Sequence, residues 1–204
     1  MEWHQIVHAP YGELNWREAE RIVQLFIKML PERVKALEAD LHCTGSVSWK
    51  PDLSDGSLLA LGEWAKQNIR LINTKPHAVQ VNPKLPLEVQ SSVRMHIEAD
   101  WHELSYDDEC RAMDIGLYMA ECIRHRSGMG VWRRCKRKRS VDYNYPVLWL
   151  VRDYEYNPYA IGGRAVVRML EGNEAADKFV EKCGIWSRKA KLIQDNETQQ
   201  KSRE

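Results

Sequence analysis

Residues 105–126, SYDDECRAMDIGLYMAECIRHR, read as one long helix with a marked start, a marked end and too little polar surface to lie on the outside. Ser105 is an N-cap residue type, and Asp108 stands at the third helical position, where a carboxylate reaches free backbone donors. Asp107, Asp108 and Glu109 put negative charge at the positive end of the helix dipole, and Arg124, His125 and Arg126 put positive charge at the other. Gly128 supplies the stop. At about 100° per residue, Cys110, Met113, Gly116, Leu117, Ala120 and Ile123 share one face. Ala112 and Met119 widen that face, and Ile115 and Cys122 carry it almost to the back, so the helix is expected to be buried on most sides. Gly116 costs about 1 kcal/mol inside a helix relative to Ala, which predicts a second backbone crossing closely there.

One narrow stripe of this helix is polar: Asp107, Arg111, Asp114, Tyr118, Glu121 and His125. Two readings stand. It is a solvated edge with ion pairs between successive turns, or it is the wall of a cleft in which Asp114, Glu121 and His125, beside Tyr118, act as acid, base or metal ligands.

Working outward on the N-terminal side, residues 1–13 read as a loop or short edge strand. Asn15 caps a helix whose apolar stripe runs Trp16, Ala19, Ile22, Val23, Phe26, Met29 and Leu30. Pro31 then either kinks this helix or opens a second one, with Val34, Leu37 and Leu41 continuing the apolar face to Gly45. After a loop anchored by Trp49, Ser54 or Asp55 starts a helix burying Leu58, Leu61, Ala65, Ile69 and Ile72, bordered by Trp64. Residues 1–73 are thus a helical N-terminal layer. Residues 74–86, with Pro76, Pro83 and Pro86, are a loop or linker, and Pro86 opens a further helix through Val89, Val93, Ile97 and Trp101.

On the C-terminal side, Gly128–Trp132 and Val141–Val151 read as two strands of a β-hairpin around a basic turn, with Pro146 at an edge or strand start. Asn157-Pro158 opens a helix through Ile161, Ala165, Val166, Met169 and Leu170, ended by Gly172. The Gly162-Gly163 pair lets this helix approach the sheet closely. Asn173 caps a last short helix through Phe179 and Val180, stopped by Gly184, and residues 188–204 are expected to be a disordered tail. The fold class is α+β and mostly helical: a helical N-terminal layer, a buried central helix on a small antiparallel sheet within residues 87–187, and C-terminal helices. Whether the two parts share one core stays open.

Composition narrows the function classes. In 204 residues, 44% apolar and 29% charged content are values of a globular domain. The net charge of +1 predicts no global attraction to nucleic acid or an anionic membrane. Eight Trp against two Phe, spread along the chain, read as core anchors. Five Cys, odd in number and without a CxxC pair, predict free thiols in a reducing compartment. With no basic-then-apolar leader and no long apolar run, the expected location is the cytoplasm, off the membrane.

The helix piece Asp114-Ile115-Gly116-Leu117-Tyr118 is followed by Gly130 and Trp132 in a strand, a basic turn, then Asn144, Pro146, Val147 and Leu148, and Asn157-Pro158. This order resembles a group of uncharacterised bacterial cytosolic proteins, and Ser57-Leu58-Leu59 with Trp64 is similar to a segment of the same group. The resemblance covers roughly residues 15–172 and rests on glycines, prolines and tryptophans at element boundaries. It implies no activity and no catalytic residue. Through small bacterial proteins of this make-up it points to immunity proteins that neutralise polymorphic toxins.

The densest charge is Arg133, Arg134, Lys136, Arg137, Lys138 and Arg139, flanked by Trp132 and Tyr143. One reading is a solvated hairpin tip that keeps an edge from pairing with other chains. The other is a binding surface for an acidic protein partner or toxin, or for nucleic acid with Trp132 and Tyr143 stacking on bases. An acidic run of Glu98, Asp100, Glu103, Asp107, Asp108 and Glu109 would partly neutralise it if the two meet. His96 and His102 bracket acidic residues, but the second His of a helical zinc site is missing from HELSYD, so no metal is expected. Gly-rich phosphate loops and Gly-x-Ser-x-Gly elbows are absent, so no cofactor is expected, and the leading reading is a macromolecule-binding protein.

Overall fold

The computed structural model describes residues 1–73, 102–152 and 154–201. The expected loop at 74–86, the helix opened by Pro86, and the acidic residues Glu98 and Asp100 lie outside them. The elements in order are α1 (Trp3–Val7), α2 (Trp16–Cys43), α3 (Asp55–Asn68), β1 (Leu71–Asn73), β2 (His102–Leu104), α4 (Tyr106–Ser127), β3 (Val131–Arg134), β4 (Pro146–Val151), β5 (Tyr154–Tyr156), α5 (Pro158–Leu170) and α6 (Lys178–Lys201). The protein is α+β and mostly helical. β1 and β2 form an antiparallel pair, and β3-β4-β5 form a separate antiparallel sheet in that order.

α4 is the central helix. Ser105 Oγ accepts from Asp108 N–H at its start, and Gly128 closes its end in the left-handed conformation at φ 71°. Every residue from Ala112 to Ala120 is buried. Two apolar clusters meet on this rod. One joins Leu37, Leu41, Trp49, α3, the sheet, α5 and α6 to Ile115, Met119 and Ile123. The other joins Trp3, Ile6, Val7, Tyr11 and the first half of α2 to Met113 and Leu117. The N-terminal layer and the C-terminal part therefore share their cores through α4.

The close crossing expected at Gly116 is with α5. A Cβ on Gly116 would stand 2.2 Å from the Pro158 carbonyl oxygen, and one on Gly162 would stand 2.3 Å from Gly116 Cα. Gly162 thus serves a helix–helix contact rather than an approach to the sheet.

Several local expectations are corrected. Residues 3–7 are helical, because Trp3, Ile6 and Val7 at helical spacing bury one side of a short turn. Pro31 does not open a second helix; α2 runs through it as one element, with the exposed ring on the outer side and Leu30 and Leu37 holding the inner one. Trp16 is 56% exposed and lies outside the core, carrying Arg17 over its ring. Ile72 sits in β1 with an exposed side chain. The second hairpin strand begins at Pro146 rather than Val141, since residues 135–145 form a folded loop. The expected tail is a helix: α6 passes Gly184 and continues to Lys201, tied down by buried Cys183, Ser187 and Ala190. Its apolar residues are too sparse beyond Ala190 to show as a stripe, which is why the polar sequence reads as disorder.

Candidate functional site

The structure separates the polar stripe of α4 into independent contacts. Asp114 is 2% exposed and faces α2, where Arg33 Nε donates to its Oδ1 at 3.0 Å and Arg33 Nη2 donates to Oδ2. Arg33 in turn lies over the Trp3 ring, 5.0 Å from its centroid. Burial pushes the Asp114 carboxyl up to about 7, with the Arg33 pair pulling the other way.

Tyr118 is fully buried one turn on. The Leu53 N–H donates to its hydroxyl oxygen at 2.9 Å, and Ser57 Oγ lies 2.7 Å from that oxygen. Ser57 Oγ already donates to the Ser54 carbonyl, so the Tyr118 hydroxyl is the donor of the pair. Burial raises the Tyr118 phenol well above its ordinary range. Leu53 itself holds φ at 63°, so this contact fixes a backbone conformation that Leu seldom adopts. Replacing Tyr118 with Phe leaves an amide and a hydroxyl short of a partner and is expected to cost about 2 kcal/mol, read as a lower urea midpoint at unchanged slope.

Glu121 accepts from Trp132 Nε1 at 2.8 Å and from Arg124, while His125 is exposed. Asp107 is also exposed, and Arg111 bonds Asp108. The stripe is therefore not a wet edge at Asp114 and Tyr118. Among the described residues, Asp114, Tyr118 and Glu121 each meet separate partners, and His125 is exposed.

The basic hairpin divides in the same way. Arg133 Nη2 donates to Glu155 Oε1 at 2.8 Å, and its guanidinium covers the Trp149 ring at 4.4 Å. Arg137 Nε donates to Glu155 Oε2 at 2.9 Å. Cys135 Sγ donates to the same oxygen at 3.2 Å, its thiol raised by burial. The Glu155 side chain is 1% exposed beneath these groups. Arg134 is buried, with Nε on Glu20 and Nη1 on the Asn144 side-chain oxygen. Arg133, Arg134 and Arg137 are accordingly tied to carboxylates, and among the described residues the acids that pair with them are Glu155 and Glu20. Trp132 is half-buried, packs edge-to-face with Phe26 and bonds Glu121.

What faces out is the tip. Lys136, Lys138 and Arg139 are exposed and make no ion pair among the described residues, Val141 is 91% exposed, and Tyr143 is half-buried. The loop is pinned from behind. Asn144, with φ at 71°, donates through Nδ2 to the carbonyls of Tyr11 and Leu14. Asp142 accepts from Asn157 Nδ2 at 2.7 Å, and Asn157 also caps α5.

Two features escaped the sequence. Val141 reads as the start of a strand until the register places the strand after it. Glu109, Arg164 and Arg168 line one groove between α4 and α5, a meeting of distant segments. The only available signal was the spacing of Arg164 and Arg168 one turn apart, opposite the apolar face of α5.

No family model matches the chain, and neither a curated protein nor a solved structure matches it. The class defined by the fold is a mostly helical α+β protein. Among the described residues, no helix is long and apolar enough to cross a membrane.

Proposed function

We propose that this chain is a macromolecule-binding protein that engages an acidic protein partner through the tip of the β3–β4 hairpin. The observation that carries the reading is the combination of exposed Lys136, Lys138 and Arg139, without an ion pair among the described residues, around the exposed Val141 on a loop anchored by Asn144 and Asp142. A loop already held in one conformation loses little entropy on binding. Local positive charge accelerates encounter with an acidic surface even at a net charge near zero. A bacterial immunity protein that neutralises a toxin by covering an acidic face is the specific form of this reading.

The test compares the wild type with a K136A/K138A/R139A variant as bait in lysate from the native cell at physiological salt. A stoichiometric protein held by the wild type and lost by the variant is the expected result, with the melting temperatures of both baits close, because the three side chains are exposed and make no ion pair among the described residues. A partner retained equally by the variant overturns it. If the bait instead shifts an oligonucleotide with a salt slope of about −3, the value for three phosphate contacts, the partner is nucleic acid.

A further inference from the structure

We infer that the groove between α4 and α5 is a binding site for a small zwitterion with apolar side groups, of amino-acid or dipeptide size. The groove encloses about 410 Å³, within the range of small-molecule sites. Its apolar lining includes Ala112 and Met113 of α4 and Val167 of α5.

The lining carries charges of both signs. β2 and α4 contribute the carboxylates of Glu103 and Glu109 to the lining, and α5 contributes Arg164 and Arg168. Part of this charge is already satisfied. His8 Nδ1 lies 3.2 Å from Glu109 Oε2, and Arg168 Nε lies 3.1 Å from Glu174 Oε1. Glu103 and Arg164 have no ion pair among the described residues. The lining therefore keeps one unanswered charge of each sign, negative on β2 and positive on α5. An amphipathic anion or cation answers only one of them and meets repulsion from the other. A molecule with an ammonium at one end, a carboxylate at the other and apolar side groups between answers both and covers the apolar lining. Burial raises the Glu109 carboxyl, with Glu103 adding to the rise, so an ammonium placed there also relieves the repulsion between two carboxylates.

Gly163 lines the same groove, and a Cβ built on it meets nothing within 4 Å. It therefore accepts a Cβ without strain, which makes it the position from which to fill the groove with a longer side chain. This provides a plug that does not disturb the fold.

The experiment titrates the full chain with the dipeptide Leu-Leu and follows amide shifts by NMR, using N-acetyl-Leu-Leu-amide as an uncharged analogue of the same body. Leu-Leu should shift residues of α4 and α5 around the groove, and the blocked analogue should not. Arg164→Gln should weaken binding roughly tenfold, and Gly163→Met should abolish it while melting at or above the wild-type temperature. The inference is overturned if Leu-Leu causes no shift at roughly 10 mM, if the blocked analogue binds equally well, or if Gly163→Met leaves the affinity unchanged.

Discussion

Replacing Gly116 with Ala is expected to destabilise the protein by about 3 kcal/mol and to lower its melting temperature by roughly 10 °C. The added Cβ would lie 2.2 Å from the Pro158 carbonyl oxygen, a backbone atom that cannot turn away. Pro158 is the first residue of α5, and the Asn157 side chain holds that end by accepting from Tyr159 and Ala160 N–H. Relief requires moving the whole of α5 off α4, which opens the contacts of Ala165, Val166 and Met169. Gly162→Ala should behave alike, since its Cβ would meet Gly116 Cα at 2.3 Å. Gly163→Ala is the internal control. It meets open space and removes a flexible helical glycine, so it should be neutral or stabilising by up to about 1 kcal/mol. Urea unfolding of the three variants checks this. Equal midpoints for Gly116→Ala and Gly163→Ala would show that the helices do not cross as described.

The second large effect is expected at Arg33. Arg33→Ala removes the fork on Asp114, a carboxylate that is 2% exposed, and should cost about 3 kcal/mol at pH 8. The penalty should shrink at pH 5, because an isolated buried carboxyl takes up a proton rather than stay charged. The wild type carries the same sign. A folded carboxyl raised to about 7 holds its proton more tightly than in the unfolded chain. Its contribution to stability is then full below the unfolded value near 4 and is lost as pH rises through about 7. Asp114→Asn should flatten that part of the pH–stability curve. A penalty for Arg33→Ala that is identical at both pH values would rule out this account.

The fold was legible where local chemistry repeats along the chain. The cap at Ser105, the stop at Gly128 and the near-continuous apolar surface of α4 placed the central helix, and Gly116 announced a crossing partner without naming it. What the sequence could not carry was the identity of partners across long separations. Asp114 meets Arg33, Tyr118 meets Leu53 and Ser57, and Arg133 meets Glu155. A polar stripe at helical spacing looks the same whether water or a distant side chain answers it. The hairpin's basic run had the same ambiguity. Its arginines split between pairs with carboxylates and a bare tip only once the fold brought Glu155 and Glu20 to them.

α4 has its odd-numbered neighbours Met113 and Leu117 in one greasy compartment and Ile115, Met119 and Ile123 in another. It works as a party wall, and each room borrows its rigidity from the other. Cutting the chain between α2 and α3 would strip one side of that wall bare, because the cover of Met113 and Leu117 comes from α1 and the first half of α2.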